Sequence, residues 1–240
     1  MDLKIKDVAE LLNISETTVR RWLAEGKIPA YRINHQYRFS RGEIQAWVMN
    51  QKLGKLTLDP HTEEASGDAT ETDGNTTTAS GIQQFSLYRA IHKGGVMKLH
   101  GVHTKEEVIR QAMIPIAERL DVDAVGLAEL LLDRERLQPT ALNHGFGIPH
   151  TRDFLLKGSS DAVTVVFLDQ PIDYDALDGQ PVDTLFFLFA CEDKRHLHLL
   201  AKIALLCSKP QAIEFLASRP SENELLAFIK EWESSIPRRQ

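Results

Sequence analysis

The sequence predicts an α/β protein, in which a small helical head precedes a larger body with a mixed β-sheet flanked by helices. Three observations carry this reading. The runs AVTVVFL (162–168) and TLFFLFA (184–190) are continuous, apolar and β-prone, as central strands covered on both faces must be. Apolar positions at helical spacing surround them, notably in TKEEVIRQAMIPIAERL (104–120) and RHLHLLAKIALLC (195–207). The charge is also uneven. The chain carries a net charge of −6, yet basic residues outnumber acidic ones up to Lys55. A basic head on an acidic body suggests a module that faces nucleic acid.

Between the two lies LDPHTEEASGDATETDGNTTTASG (58–81), with Asp59, Glu63, Glu64, Asp68, Glu71 and Asp73 but no lysine or arginine. It has no aromatic residue and no helical or strand period. Such a segment buries too little apolar surface to offset its ordering entropy. The expected organisation is a domain over 1–54, a flexible acidic linker over 55–81 and a second domain over 82–240. The longest unbroken apolar run, 185–191, is too short to span a bilayer, and MDLKIKDVAE holds no apolar signal core. A cytoplasmic address without membrane insertion is expected. Cys191 and Cys207 have neither metal nor CxxC spacing and read as buried thiols, so neither a metal nor a cofactor is implied.

In the head, residues from Asp7 to Leu12 predict a short amphipathic helix with Val8 and Leu11 inward. NIS (13–15) makes a three-residue turn, and Ser15 is a good N-cap for the next helix. Val19, Trp22 and Leu23 share one face of that helix, which Gly26 ends. This is the helix-turn-helix plan, whose second helix enters the major groove of double-stranded DNA. Thr17, Thr18, Arg20 and Arg21 point away from the apolar face and are the candidate DNA contacts. AYRINHQYRF then alternates. With a turn at Asn34, His35 and Gln36, Arg32 and Arg38 share the solvent face of a two-stranded wing, suited to phosphates. A closing helix packs back through Ile44 and Trp47. One such module makes few base contacts, so a homodimer on paired half-sites is expected. Through VAELLNISETTVRRWLAEGKIPAYRI and YRFSRGEIQAWV, residues 3–48 resemble the excisionase/MerR-like winged helix-turn-helix family.

In the body, Thr104 and Glu107 predict a capping box, and Asp123 caps AVGLAELLLDRERL. DYDALDGQP (173–181) is turn chemistry between the strands, and ENELLAFIKEW (222–232) is a terminal helix. The candidate site is the loop TALNHGFGIPHTR (140–152). Ile148 precedes proline and is pushed to an extended conformation, while Pro149 has a fixed φ, so His150 is presented from a stiffened backbone. Gly145 and Gly147 allow main-chain amides to approach an anion. Thr151 offers a hydroxyl and Arg152 a bidentate guanidinium. A neutral imidazole among such groups can attack phosphorus and carry a phosphoryl group.

Residues 87–231 resemble the enzyme IIA domain of the fructose/mannitol/nitrogen-regulatory class of the bacterial phosphotransferase system. The family loop reads T-G-I-G-x-G-I-A-I-P-H, against TALNHGFGIPH here. IDYDALDGQPVDTLFFLFA (172–190) is close to its inter-strand segment, and HLHLLA (196–201) to its H-L-x-x-L-A motif. Ala141 and Asn143 stand where the family has glycine, and Asn143 tolerates a left-handed backbone. The resemblance implies that His150 takes a phosphoryl group from the phosphocarrier HPr through Nε2, with His196 beside it; His198 is structural. It implies a transient phosphoryl carrier rather than an enzyme turning over a small molecule. Three roles follow. The chain is a phosphorylation-responsive transcriptional regulator, a soluble IIA subunit of sugar transport serving a IIB component, or an unphosphorylated regulator of a kinase or transporter.

Overall fold

The computed structural model describes residues 2–12, 14–33, 36–50, 86–151 and 161–236. The expected linker over 55–81, the wing-turn residues Asn34 and His35, and Arg152 lie outside the described residues.

The head runs β1 (Asp2–Leu3), α1 (Ile5–Leu12), α2 (Glu16–Ala24), β2 (Tyr31–Ile33), β3 (Gln36–Ser40) and α3 (Arg41–Asn50). α1 begins ahead of the expected Asp7, because the Asp7 carboxylate accepts the Lys4 amide at 2.9 Å and caps the helix from within. The Ser15 hydroxyl accepts from the Thr18 amide, as an N-cap should, and Gly26 leaves α2 at φ +64°. Val8, Val19, Phe39 and Ile44 form the core, and Trp22 meets Trp47 with ring centroids 5.3 Å apart. β1 pairs with β3, so the wing is part of a three-stranded sheet.

The wing register corrects one expectation. Tyr31 pairs with Arg38, Arg32 with Tyr37 and Ile33 with Gln36. Residues directly opposite share a face, so Arg32 and Arg38 lie on opposite faces of the wing. Gln36 belongs to β3 rather than to the turn, and a one-residue change of register turns every side chain over.

The body comprises α4 (Ser86–Gly94), β4 (Val96–Leu99), α5 (Lys105–Leu120), α6 (Ala124–Leu137), β5 (Phe146–Gly147), β6 (Ala162–Ile172), β7 (Val182–Phe189), α7 (Asp193–Cys207), α8 (Pro210–Ala217) and α9 (Glu222–Ser235). The caps fall where the sequence puts them: Thr104 and Glu107 form the box of α5, and Asp123 accepts from the Gly126 amide. The sheet order is β4-β6-β7-β5, with β6 and β7 antiparallel and both outer strands parallel to their neighbours. This is the expected mixed sheet, and β6 and β7 are buried along most of their length because helices cover both faces. Gly94 lets α4 lie close on the sheet, since a Cβ there would meet the Val163 carbonyl oxygen at 2.3 Å. Cys207 is fully buried, whereas Cys191 is only partly buried, unlike the core thiol expected there.

α4, α7 and α9 are tied by one buried carboxylate. Glu233 accepts the Leu87 and Tyr88 amides at 3.1 and 2.9 Å and pairs with Lys202 at 2.5 Å. Burial pulls the Lys202 ammonium below its usual range, and Glu233 opposes that pull. Removing the carboxylate orphans two helix amides and a buried ammonium. Glu233→Ala is expected to destabilise the body by about 3–5 kcal/mol in urea unfolding.

Candidate functional site

The loop after α6 folds as a tight hairpin. Leu142 donates its amide to the Phe146 carbonyl at 2.7 Å and Ile148 to that of Thr140 at 2.9 Å, with Ala141 opposite Gly147. The left-handed residues at its tip are His144 (φ 65°) and Gly145 (φ 80°), not Asn143. The His144 amide reaches Asp178, and the Gly145 carbonyl accepts from Asp183 and Thr184. Ala141 fits, buried, where the resembling family has glycine. At Gly145 and Gly147, whose amides are the expected anion contacts, the chain itself crowds the space a side chain would take. A Cβ on Gly145 would lie 3.3 Å from the Pro181 carbonyl, and one on Gly147 2.7 Å from Leu185 Cδ2.

One side of the hairpin continues beside β7. β5 pairs with Thr184 and Leu185, Leu188 donates to the Pro149 carbonyl at 2.9 Å, and His150 bridges to Leu188. The other end is held by Glu135, which accepts both the Thr140 amide (2.9 Å) and the Thr140 hydroxyl (2.6 Å). Sequence reasoning missed Glu135. Its signal was an acid placed at helical spacing from Ala128 and Leu132, on the buried stripe of α6.

His150 is thus delivered to the carboxyl end of β7, next to the start of α7. His150 Nδ1 lies 2.7 Å from the Ile148 carbonyl oxygen. A carbonyl only accepts, so Nδ1 carries the proton and the lone pair of the neutral ring sits on Nε2. His196, in the first turn of α7, places its ring 5.1 Å away, centroid to centroid. That turn is fixed by Asp161, which accepts from the Cys191 amide at 3.0 Å and from Arg195 at 2.7 Å. His198 faces elsewhere, bonded to Ser86 at 3.1 Å. Thr151 is buried next to His150.

The ring is not open to solvent, as its expected role requires. His150 is 0% exposed, and Nε2 is met at 2.5 Å by the side-chain nitrogen of Gln45, in α3 of the head. With the lone pair on Nε2, the Gln45 amide donates to it. Gln45 carried no signal in the sequence, where it reads as one polar position of a short helix.

The head residues divide. Thr17, Arg20, Arg21 and Arg32 are exposed, and Arg20 pairs loosely with Glu16 at 3.5 Å. Thr18 is half-buried, its hydroxyl joined to that of Ser15 at 2.8 Å, so it belongs to the cap of α2. Arg38 is half-buried and bonded to Gln36 at 2.8 Å, while the Arg32 guanidinium lies over Tyr37.

With this geometry in hand, the relatives are informative. Residues 91–232, more than half of the chain, match the family model described as "Phosphoenolpyruvate-dependent sugar phosphotransferase system, EIIA 2". Residues 3–52 match the one described as "Helix-turn-helix domain". The nitrogen regulatory protein of Pseudomonas aeruginosa is 36% identical over 130 residues, covering 52% of this chain and 82% of that protein. The mannitol-specific phosphotransferase enzyme IIA component of Halalkalibacterium halodurans is 31% identical over 129 residues, covering 53% and 86% respectively. The crystal structure of nitrogen regulatory protein IIA-Ntr from Neisseria meningitidis is similar with a TM-score of 0.51 and 27% identity, covering 60% of this chain and 94% of that one. No helix among the described residues is long and apolar enough to cross a membrane.

The Glu135 anchor generates a test. Burial pushes its carboxyl above the usual carboxylate range, opposed by the Thr140 bonds and by Lys105. A pKa raised on folding means that the native state holds the proton more tightly. This stabilisation is full below the ordinary value of 4.5 and is lost as pH rises through the raised one. Glu135→Gln should therefore gain stability relative to wild type as pH rises from 4.5 toward neutrality, in denaturant titrations at several pH values. Glu135→Ala should lose about 2–4 kcal/mol, because the buried Thr140 donors are orphaned.

Proposed function

We propose, for a chain that belongs to the EIIA type 2 family of the phosphoenolpyruvate-dependent sugar phosphotransferase system, that His150 is the phosphoryl acceptor and that the head binds double-stranded DNA. One observation carries the first half: the Ile148 carbonyl holds the Nδ1 proton, so the nucleophilic lone pair stands on Nε2. The donor is a phosphohistidine on an HPr-type carrier. The Nε2 lone pair attacks phosphorus, a new N–P bond forms, and the donor's N–P bond breaks with its electron pair returning to the donor ring. His196, ring to ring with the acceptor, steadies the imidazole or the phosphoryl group. Thr151 and Arg152 remain candidate phosphate contacts, and the amides of Gly145 and Gly147 a weaker set.

A nitrogen-regulatory role, acting on transcription, suits this chain better than sugar transport. The nitrogen regulatory relative is the more similar of the two described, and the head presents Thr17, Arg20 and Arg21 on the exposed side of its second helix. The 31% identity to a mannitol-specific component supports the second reading, a soluble IIA subunit that passes phosphate to a IIB component. Onward transfer to a IIB protein separates the two. Homodimeric binding to paired half-sites, and contact with a regulated kinase or transporter, belong to the same proposal.

Incubation of the full chain with phosphoenolpyruvate, enzyme I and HPr should give acid-labile phosphate on wild type and none on His150→Ala. Equal labelling of the variant removes the acceptor assignment, and no labelling of wild type leaves a pure binding regulator. For the head, Arg20→Ala combined with Arg21→Ala should weaken duplex binding and shallow the slope of log affinity against log salt by about two. An unchanged slope would mean that α2 does not meet the DNA backbone.

A further inference from the structure

The Nε2 edge of His150 is covered by the head. α1 and α3 pack against α7, and apolar residues of head and body fuse into one core cluster. At its polar edge, α3 puts two side chains one helical turn apart onto the site. Arg41 pairs with Asp193 at the start of α7, at 2.6 Å, and Gln45 bonds to His150 Nε2. Gln45 is itself 2% exposed, so water does not separate the pair.

A phosphoryl group on Nε2 needs the space that Gln45 fills. A phosphorus atom with three oxygens does not fit into a nitrogen-to-nitrogen gap of 2.5 Å. A carrier protein bringing its own phosphohistidine to Nε2 needs the approach that α3 closes with Gln45. We propose that the head is a closable cover on the acceptor, so that a docked head and a phosphorylated His150 exclude each other. The inference rests on the carrier reading above and adds the competitor for its docking surface, the α1/α3 face of this same chain. Opening comes first, and transfer to Nε2 then follows as written above. While the phosphate remains, its charge and bulk stand where Gln45 stood, and re-docking waits for its transfer to the next acceptor. The exclusion is reciprocal: the factor by which closure suppresses phosphorylation is the factor by which phosphate suppresses closure.

In the closed arrangement Thr17, Arg20 and Arg21 stay exposed. Opening therefore does not unmask the DNA-facing helix. It changes whether the body is rigidly attached to it.

The Arg41–Asp193 pair gives the test, because both partners are partly exposed and neither belongs to a folding core. The full chain would be compared with Arg41→Glu, Asp193→Arg and the double exchange. Diethyl pyrocarbonate, which carbethoxylates an accessible imidazole lone pair, reads the cover at His150 by peptide mass spectrometry. Phosphoryl transfer from HPr reads the acceptor. Each single variant, with like charges facing each other, should raise both rates by about threefold to fivefold, and the double exchange should return both toward wild type. Equal carbethoxylation of His150 in all four chains overturns the cover, whatever the labelling shows. Carbethoxylation that follows the exchange, with no phosphoryl label in any chain, supports the cover and overturns the carrier reading. Slower labelling in Arg41→Glu with unchanged carbethoxylation of His150 would make Arg41 a phosphate ligand and overturn the cover.

Discussion

The site depends on one hydrogen bond, from His150 Nδ1 to the Ile148 carbonyl two residues back. A neutral imidazole has one proton to place on two nitrogens, and this acceptor decides where it goes. A net worth of about 1 kcal/mol already biases the two tautomers by roughly fivefold, and burial strengthens the preference. The bond exists because Pro149 cannot rotate about φ and because Ile148, before a proline, is held extended. Together they fold the ring back onto the carbonyl of Ile148. A freer residue at 149 would leave the ring able to turn, and the nucleophilic nitrogen would no longer have a fixed direction.

That local device is useful only if the loop is fixed to the body, and the fixing runs in two directions. Upstream, buried Glu135 holds Thr140 by amide and hydroxyl, and Thr140 in turn holds Ile148 across the hairpin. Downstream, Pro149 and His150 are stitched to Leu188 at the end of β7, from which the chain turns into α7 and brings His196 alongside. The two glycines serve this stitching. Gly147 lets Leu185 press against the hairpin, and Gly145 takes the left-handed turn under Pro181. The same geometry gives the histidine a rigid mount.

What could be read from the sequence was what neighbouring residues decide. The caps at Ser15, Thr104 and Asp123, the two buried strands and the proline–histidine corner all depend on interactions within a few residues. The failures sit where distant residues or one step of register decide. Taking Gln36 into the wing turn put Arg32 and Arg38 on one face, and the pairing of Ile33 with Gln36 separates them. Thr18 counts as a free DNA contact by helical phase, but it is half-buried with its hydroxyl joined to that of Ser15. Glu135 could have been noticed as an acid on an apolar stripe, yet its partner five residues on is set only when the hairpin closes. Gln45 could not have been found at all. Nothing local distinguishes a glutamine on a helix surface from one that meets a histidine 105 positions away.

The contact between Gln45 and His150 also bears on how an intramolecular surface would control the phosphoryl transfer proposed for His150. Among the described residues the cover is held by an apolar seam along α7, by the partly exposed Arg41–Asp193 pair and by the Gln45 amide. Within one chain the two surfaces meet without the concentration cost of a separate partner, so modest complementarity is enough to close. Marginal closure is also what a switch requires. A cover that bound tightly would shut out any carrier, while one that did not bind would report nothing. On the proposed carrier reading, transfer itself supplies the bias, since it would replace a neutral lone pair that accepts from an amide with a bulky dianion that fills the amide's place. If His150 is the acceptor and α2 meets DNA, as proposed, signal and chemistry share a single atom, Nε2 of His150, and no longer path through the body is needed to connect phosphorylation to the position of that helix.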